Sequence, residues 1–273
     1  MINVRNEIKQ QVRKATVQYA FLRWENAVLM GGTLLLIYFL PRPLPGWPEW
    51  GWPVLGVLAV AAMVISTLTD NTSKAKVQMA LYEERFNPAK LKGTNFQQEV
   101  GTALSILEQV ENYTSKQPPG QLANFMDETA GDIANWVGTL YELAVHLDSY
   151  RQDPLLAQER RTVSQELNTL KARRKYESTP DIQRMLDEVI ESKQTQWYSL
   201  NALDKRMQQA ERQLDESNTE LTTAGSQLRL ISPQDVQKGR AAQFRQEIQA
   251  QIKKLNDLVS NLHQVYGDHG DRP

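Results

Sequence analysis

The sequence predicts an all-α protein with an N-terminal two-helix transmembrane hairpin followed by an elongated cytoplasmic helical bundle that contains a long antiparallel coiled-coil hairpin. Mean hydropathy is −0.51 over 273 residues, yet the longest uncharged apolar runs all precede residue 70. After Thr94, helix-favouring residues dominate, apolar residues recur every three, four and seven positions, and no long alternating β-branched stretch occurs. Cysteine is absent, so neither disulfides nor thiolate metal sites contribute to the fold.

Residues 1–19 have the pattern of a basic amphipathic helix. Apolar side chains recur at helical spacing from Val4 onward, and a basic row runs beside them, consisting of Arg5, Lys9, Arg13 and Lys14. Such a helix would lie on an anionic membrane surface or pack on the hydrophilic region. The same pattern is equally explained by a simple N-terminal extension of the first membrane span.

Residues 20–69 are predicted to form the transmembrane hairpin, with spans at about 20–40 and 50–69. The first span has an uncharged core at 27–40, and the second is uncharged throughout. Each is about 20 residues long, which as helix matches a bilayer core of about 30 Å. The proline-rich turn between the spans cannot continue a helix and predicts a tight reversal.

Interface residues and flanking charges predict the orientation of this hairpin. Arg23 would lie at one membrane interface, and the indoles near the turn favour the headgroup region at the other, namely Trp47, Trp50 and Trp52. Basic residues cluster before the first span and after the second, whereas Arg42 is the only one in the turn. The positive-inside rule therefore predicts an integral membrane protein with two spans, both termini in the cytoplasm, and membrane lipid as a partner.

The remaining chain is predicted to be helical and divided at proline- and glycine-containing corners. Residues 70–94 are expected to form a juxtamembrane linker, helical until Asn87-Pro88 interrupts it. Residues 95–266 form the cytoplasmic helical and coiled-coil region, and 267–273 a disordered tail. Within that region we expect helices at about 95–115, 121–151, 154–177, 180–230 and 234–266.

The last two of these helices carry a heptad seam that predicts an antiparallel hairpin. Its core positions are Leu186, Leu200, Met207, Leu214, Leu221, Leu228, Ile248, Leu255 and Leu262. The neighbouring core positions of the heptads, which we call companion positions, hold Ile182, Val189, Leu203 and Ala210. Polar residues interrupt the seam at Lys193, Gln196 and Ser217. Because the apolar stripes are too wide to leave in water, we expect self-association or a cytoplasmic protein partner to cover what the bundle leaves exposed.

Sequence signatures of chemistry are missing. No glycine-rich phosphate loop, nucleophile elbow or His-Glu-x-x-His motif occurs, so we expect neither an enzyme nor a cofactor-dependent protein, and identify no small-molecule substrate. The C-terminal His263, Asp268, His269 and Asp271 are too loosely spaced to favour a metal site. Basic clusters are diluted by acidic neighbours and lack aromatic residues, which argues against nucleic-acid binding.

Two functional hypotheses remain. The first is a membrane-anchored coiled-coil scaffold or interaction protein, which holds a cytoplasmic partner or a copy of itself at the membrane. The alternative is a membrane-surface sensing or remodelling protein, in which the basic amphipathic N-terminus reads lipid charge or packing.

Overall fold

The computed structural model describes residues 71–270, and the side chains of residues 78–262 within them. This part of the chain contains helices and no strand, which confirms the all-α prediction for the residues described. The helices are α1 (Asn71–Arg85), α2 (Thr94–Thr114), α3 (Gln121–Gln152), α4 (Pro154–Tyr176), α5 (Pro180–Leu230), α6 (Pro233–Gln237) and α7 (Arg240–Gly270). A short 3₁₀ turn, Pro88–Lys90, lies between α1 and α2.

The predicted N-terminal helix (1–19) and the predicted transmembrane hairpin (20–69) lie outside the described residues. Within residues 71–270, no helix has both the length and the mean hydropathy needed to cross a bilayer.

Capping interactions place the corners of the helical region. Asp153 caps α4 by accepting hydrogen bonds from the backbone N–H groups of Leu155 (2.9 Å) and Leu156 (3.4 Å), with Pro154 at the first helical position. Ser232 and Asp235 form a capping box at the start of α6. Both helices thus begin at a capping residue, at the positions where the sequence pattern predicts a turn between helices.

The C-terminal helix differs from the prediction. A single helix was expected from about Gln234 to Tyr266, but α6 ends at Gln237 and α7 begins at Arg240. The break lies at Gly239, whose φ of 77° is accessible to glycine and incompatible with a continuous right-handed helix. At its other end α7 continues to Gly270, which includes the first residues of the stretch predicted to be a tail.

The described residues divide into two compact units. The first consists of the described residues up to Asn87 together with Leu104–Asn135 and Gly225–Gln246. Its core includes Tyr82 and Leu107, both with no exposed surface. Gln78 donates a hydrogen bond to the buried Glu111 (2.8 Å), which ties α1 to α2. Part of the segment predicted to be a juxtamembrane linker is therefore packed core.

The second unit consists of Pro88–Ala103, Trp136–Ala224 and the residues from Glu247 onward. Trp136 is buried in its core, and the indole Nε1–H donates to Ser217 Oγ at 2.8 Å. The serine that interrupts the predicted seam is thus the partner that satisfies a buried indole. Asp148 accepts hydrogen bonds from the backbone N–H groups of Lys92 and Gly93, both at 2.8 Å, so a side chain of α3 caps the start of α2.

All nine predicted seam residues are buried in the structure. Exposed fractions range from 0% at Leu221 and Leu228 to 7% at Leu186. The companion positions Leu203 and Ala210 are buried as well. From Leu200 to Leu228, the apolar line of α5 is therefore covered by the chain itself.

Truncation of Leu214 should destabilise the protein strongly. The side chain is 2% exposed, and Leu214→Ala removes buried methyl groups and leaves a cavity, at a cost of about 2 to 5 kcal/mol. Urea unfolding of the full chain in detergent, followed by far-ultraviolet circular dichroism, measures the loss. Glu216→Ala, at an exposed position of the same helix, is the control and should change the free energy of unfolding by less than about 0.5 kcal/mol. Equal effects of the two substitutions would contradict a packed seam.

Substitution of two helical glycines by alanine should have opposite effects on the stability of the protein. A Cβ at Gly225 would lie 2.8 Å from the Ile106 Cγ2 methyl, whereas a Cβ at Gly101 meets nothing within 4 Å. Gly101→Ala should stabilise by about 0.5 to 1 kcal/mol through helix propensity. Gly225→Ala should be about 1 to 3 kcal/mol less stable than Gly101→Ala, because the branched side chain must move. Equal stability of the two variants in the same unfolding assay would disprove the close approach at Gly225.

Candidate interaction surface

Helix α4 and the part of α5 that belongs to the second unit form an antiparallel hairpin. In α4 only Val163 and Leu167 are buried. Between residues 180 and 199 of α5, a stretch described throughout, Leu186 is the only buried residue. This part of the hairpin, which we call the hairpin tip (residues 163–199), therefore has a narrow apolar seam, whereas α5 is buried more extensively beyond residue 200.

Polar contacts between α4 and α5 set the register of the hairpin. These contacts are Arg160 with Asp204 (2.8 Å), Glu159 with Gln196 (2.7 Å), Glu166 with Lys193 (2.6 Å) and Arg174 with Asp187 (2.8 Å). Lys193 and Gln196, which interrupt the predicted seam, thus contact acidic side chains of α4. Exposed pairs of this kind contribute little stability each, but together they specify one alignment of the two helices.

A polar cluster lies at the base of the hairpin, where α3, α4 and α5 meet. Asp204 accepts a hydrogen bond from Tyr150 Oη (3.2 Å) and forms an ion pair with Arg160, while Arg151 makes a two-pronged contact with Glu211 at 2.6 and 2.7 Å. Burial, and next the negative charge of Asp204, raises the pKa of Tyr150 from its usual value near 10 to about 12. The phenol therefore remains a proton donor throughout the neutral range.

A cavity of about 80 Å³ is lined by this cluster. That volume accommodates a few water molecules but is far below the usual size of a small-molecule site. Tyr150, Arg151, Arg160 and Asp204 are engaged with one another or with Glu211. The arrangement is that of a structural network that joins three helices.

The hairpin tip exposes a line of large apolar side chains. Ile182, Met185 and Val189 are 38%, 66% and 45% exposed, and their spacing of three and four residues places them on one face of α5. We call these three residues the apolar stripe. An exposed apolar line on a helix is a candidate interaction surface.

The stripe extends the heptad pattern of the buried seam. Ile182 and Val189 are the first members of the companion series in steps of seven, whose later members Leu203, Ala210 and Ser217 are 3%, 0% and 3% exposed. Residues at this heptad position are thus exposed in the hairpin tip and buried beyond residue 200. Additional helices of the second unit cover it there, whereas α4 alone does not cover it in the tip.

Of the site residues predicted from the sequence, some lie in the described part of the chain and others lie outside it. The predicted membrane-interface residues all lie outside the described residues, namely Arg5, Lys9, Arg13, Lys14, Arg23, Trp47, Trp50 and Trp52. The nine seam residues are interior and present no surface to a partner. The C-terminal His263 and His269 belong to the stretch whose side chains are not described.

Sequence reasoning missed the apolar stripe as a surface. Ile182 and Val189 were assigned to the companion positions of the seam, and Met185 was not considered. A signal was present in α4, because its apolar residues between 158 and 171 are only Val163, Leu167 and Leu170. These three lie on one narrow line, which cannot cover two adjacent positions of α5. The Gln78–Glu111 pair in the other unit was also missed, since a lone glutamine and a lone glutamate in helices have no distinctive pattern.

Comparisons with known proteins do not extend these observations. No protein-family profile matches the chain, and no curated protein or solved structure shows significant similarity to it.

The contribution of Tyr150 to stability should depend on alkaline pH. Below pH 10 the phenol is protonated in both the folded and the unfolded chain. Between pH 10 and about 12 the unfolded chain releases this proton while the folded chain retains it, so the free energy of unfolding falls as pH rises. The stability advantage of the native chain over Tyr150→Phe should therefore shrink between pH 8 and pH 11.

Paired urea titrations of the native chain and the variant at the two pH values measure this change. Tyr198→Phe provides the control, because Tyr198 lies on α5 and is 64% exposed. An advantage for Tyr150 that stays constant, or grows, from pH 8 to pH 11 would contradict the raised pKa.

Proposed function

We propose that this protein is a membrane-anchored helical scaffold, which holds a cytoplasmic protein partner or a second copy of itself at the membrane surface. The observation that carries the proposal is the apolar stripe on the hairpin tip, formed by Ile182, Met185 and Val189. These side chains are large, exposed and aligned on a single helix face. Their burial against another helix would contribute favourable free energy to association, at about 25 cal/mol for each Å² of apolar surface removed from water.

The remaining parts of the chain support the same role. The uncharged runs within residues 20–69 suit a membrane hairpin that acts as an anchor. The cavity at the base of the α4–α5 hairpin is small and its charged groups are engaged with one another, so the described region favours a structural role for these groups. The polar contacts between α4 and α5 hold the stripe on a defined support.

The alternative role in membrane-surface sensing has one supporting observation, the basic amphipathic pattern of residues 1–19. A peptide of these residues, mixed with vesicles of anionic or neutral lipid, distinguishes the two roles. Strong partition into anionic vesicles supports sensing. An absence of binding favours the scaffold, because an anchor requires no lipid recognition by this segment.

The topology that the scaffold requires is directly testable, since the chain has no native cysteine. Single substitutions Gly46→Cys, Ser73→Cys and Ser226→Cys place one thiol in the predicted external turn and two on the predicted cytoplasmic side. A membrane-impermeant thiol reagent applied to intact cells should label only the Gly46→Cys variant, and all three after lysis.

Labelling of the Ser226→Cys variant before lysis would overturn the orientation and the cytoplasmic partner. Recovery of the full chain in the soluble fraction after cell breakage would overturn the anchor itself. The lysed samples serve as the control for thiol accessibility, because Ser226 is exposed in the structure.

A further inference from the structure

We propose that the hairpin tip is a conformational switch, a segment that opens transiently by itself while the remainder of the second unit stays folded. In the closed state, which the structure shows, α4 packs along α5. In the open state, the part of α4 beyond Arg160 separates from the part of α5 before Leu200. As a regulator of the apolar stripe this switch rests on the proposed scaffold function, whereas the opening itself does not.

Apolar burial is much sparser in the hairpin tip than in the next part of α5. Three of the 37 residues of the tip are buried, namely Val163, Leu167 and Leu186, whereas nine of the 25 residues from 200 to 224 are buried. Both stretches are described throughout. Because the free energy needed to open a segment rises with the apolar surface that opening exposes, the tip should open far more readily than the stretch beyond it.

The polar contacts across the tip do not compensate for this sparse burial. In the Glu166–Lys193 ion pair the two side chains are 45% and 31% exposed, and in the Arg174–Asp187 pair they are 36% and 55% exposed. Ion pairs so accessible to water align two helices but add little to their stability. The tip contains only 14 residues of α4, 163–176, and a helix of that length is marginal in water once it has lost its neighbour.

The base of the hairpin provides a boundary at which the opening stops. Asp204 accepts a hydrogen bond from Tyr150 of α3 (3.2 Å) and forms an ion pair with Arg160 of α4 (2.8 Å), so three helices are joined at this level. Helix α5 itself continues unbroken through the same level. One continuous helix therefore belongs to two segments of different stability, and the boundary is set by the helices that pack beside it.

Opening changes the apolar face that α5 presents. Leu186 is 7% exposed in the closed state and lies four residues after Ile182 and three before Val189, on the adjacent line of the helix. Separation of α4 uncovers Leu186, which then extends the apolar stripe sideways. The stripe thus has a narrow form and a wide form, and the balance between closed and open states sets how much apolar surface is accessible.

Hydrogen exchange of the native full chain in detergent tests the opening without any substitution. Amides of residues 163–199 should exchange at least about 100-fold faster than amides of residues 203–224, after correction for intrinsic rates. Urea below the global transition should accelerate the tip amides only slightly, because a local opening exposes little surface. Equal protection of the two segments, or an equal response to urea, would overturn independent opening.

Two buried leucines provide a matched pair of cysteine variants for a second measurement. Leu186 and Leu214 occupy the same heptad position of α5 and are 7% and 2% exposed, and the chain has no native cysteine. A thiol reagent should label Leu186→Cys at least about tenfold faster than Leu214→Cys, because the open tip exposes the first thiol only. Tyr198→Cys, at a position that is 64% exposed, gives the rate for an accessible thiol.

Equal labelling rates at the two buried positions would contradict the switch. Fast labelling of Leu186→Cys would also contradict it if the native tip is protected from hydrogen exchange, because the substitution itself would then cause the opening. Failure of the proposed function gives a different result. A fast-exchanging tip in a chain without the expected cysteine topology keeps the opening and rejects the membrane scaffold, whereas a protected tip in a chain with that topology keeps the anchor and rejects the switch.

Discussion

The burial of the apolar side chains along α5 is the interaction on which the rest of the described structure depends. This helix of 51 residues contributes to both compact units, and its core positions from Leu200 to Leu228 are almost completely buried. Each such leucine contributes about 1.5 to 3 kcal/mol when removed from water. Because the line continues into the hairpin tip, where only α4 accompanies it, the packing that builds the core also leaves the Ile182, Met185 and Val189 face exposed.

Buried polar groups then select one arrangement among the many that an apolar line permits. A seam of leucines at heptad spacing allows two packed helices to shift by one heptad relative to each other, since one leucine then occupies the place of another. Trp136 and Ser217, in contrast, satisfy each other only in a single register, and so do Gln78 and Glu111. An alternative register would leave a buried donor or acceptor without a partner, at a cost of about 1 to 3 kcal/mol for each group.

The hairpin tip and its base have different chemical characters. At the base, Tyr150, Asp204 and their arginine partners join three helices through a network in which the charged groups engage one another. At the tip, the large apolar side chains of Ile182, Met185 and Val189 are exposed. Rigid support beneath an apolar surface reduces the conformational entropy that would be lost on any association through that surface.

The sequence by itself determined the features that depend on local periodicity and turn chemistry. The helical character of the described region, the corners at Asp153-Pro154 and Ser232-Pro233, and the apolar positions that are buried along α5 and α7 all follow from spacing, capping and proline geometry. Gly239 was not recognised as a break, because a glycine in a helical pattern reveals its φ only in context. Only the tertiary structure decided which apolar positions remain exposed. Heptad spacing assigns Ile182 and Leu203 to the same line, yet their exposed fractions are 38% and 3%, because burial depends on how many other helices pack beside each position and not on the helix that carries it.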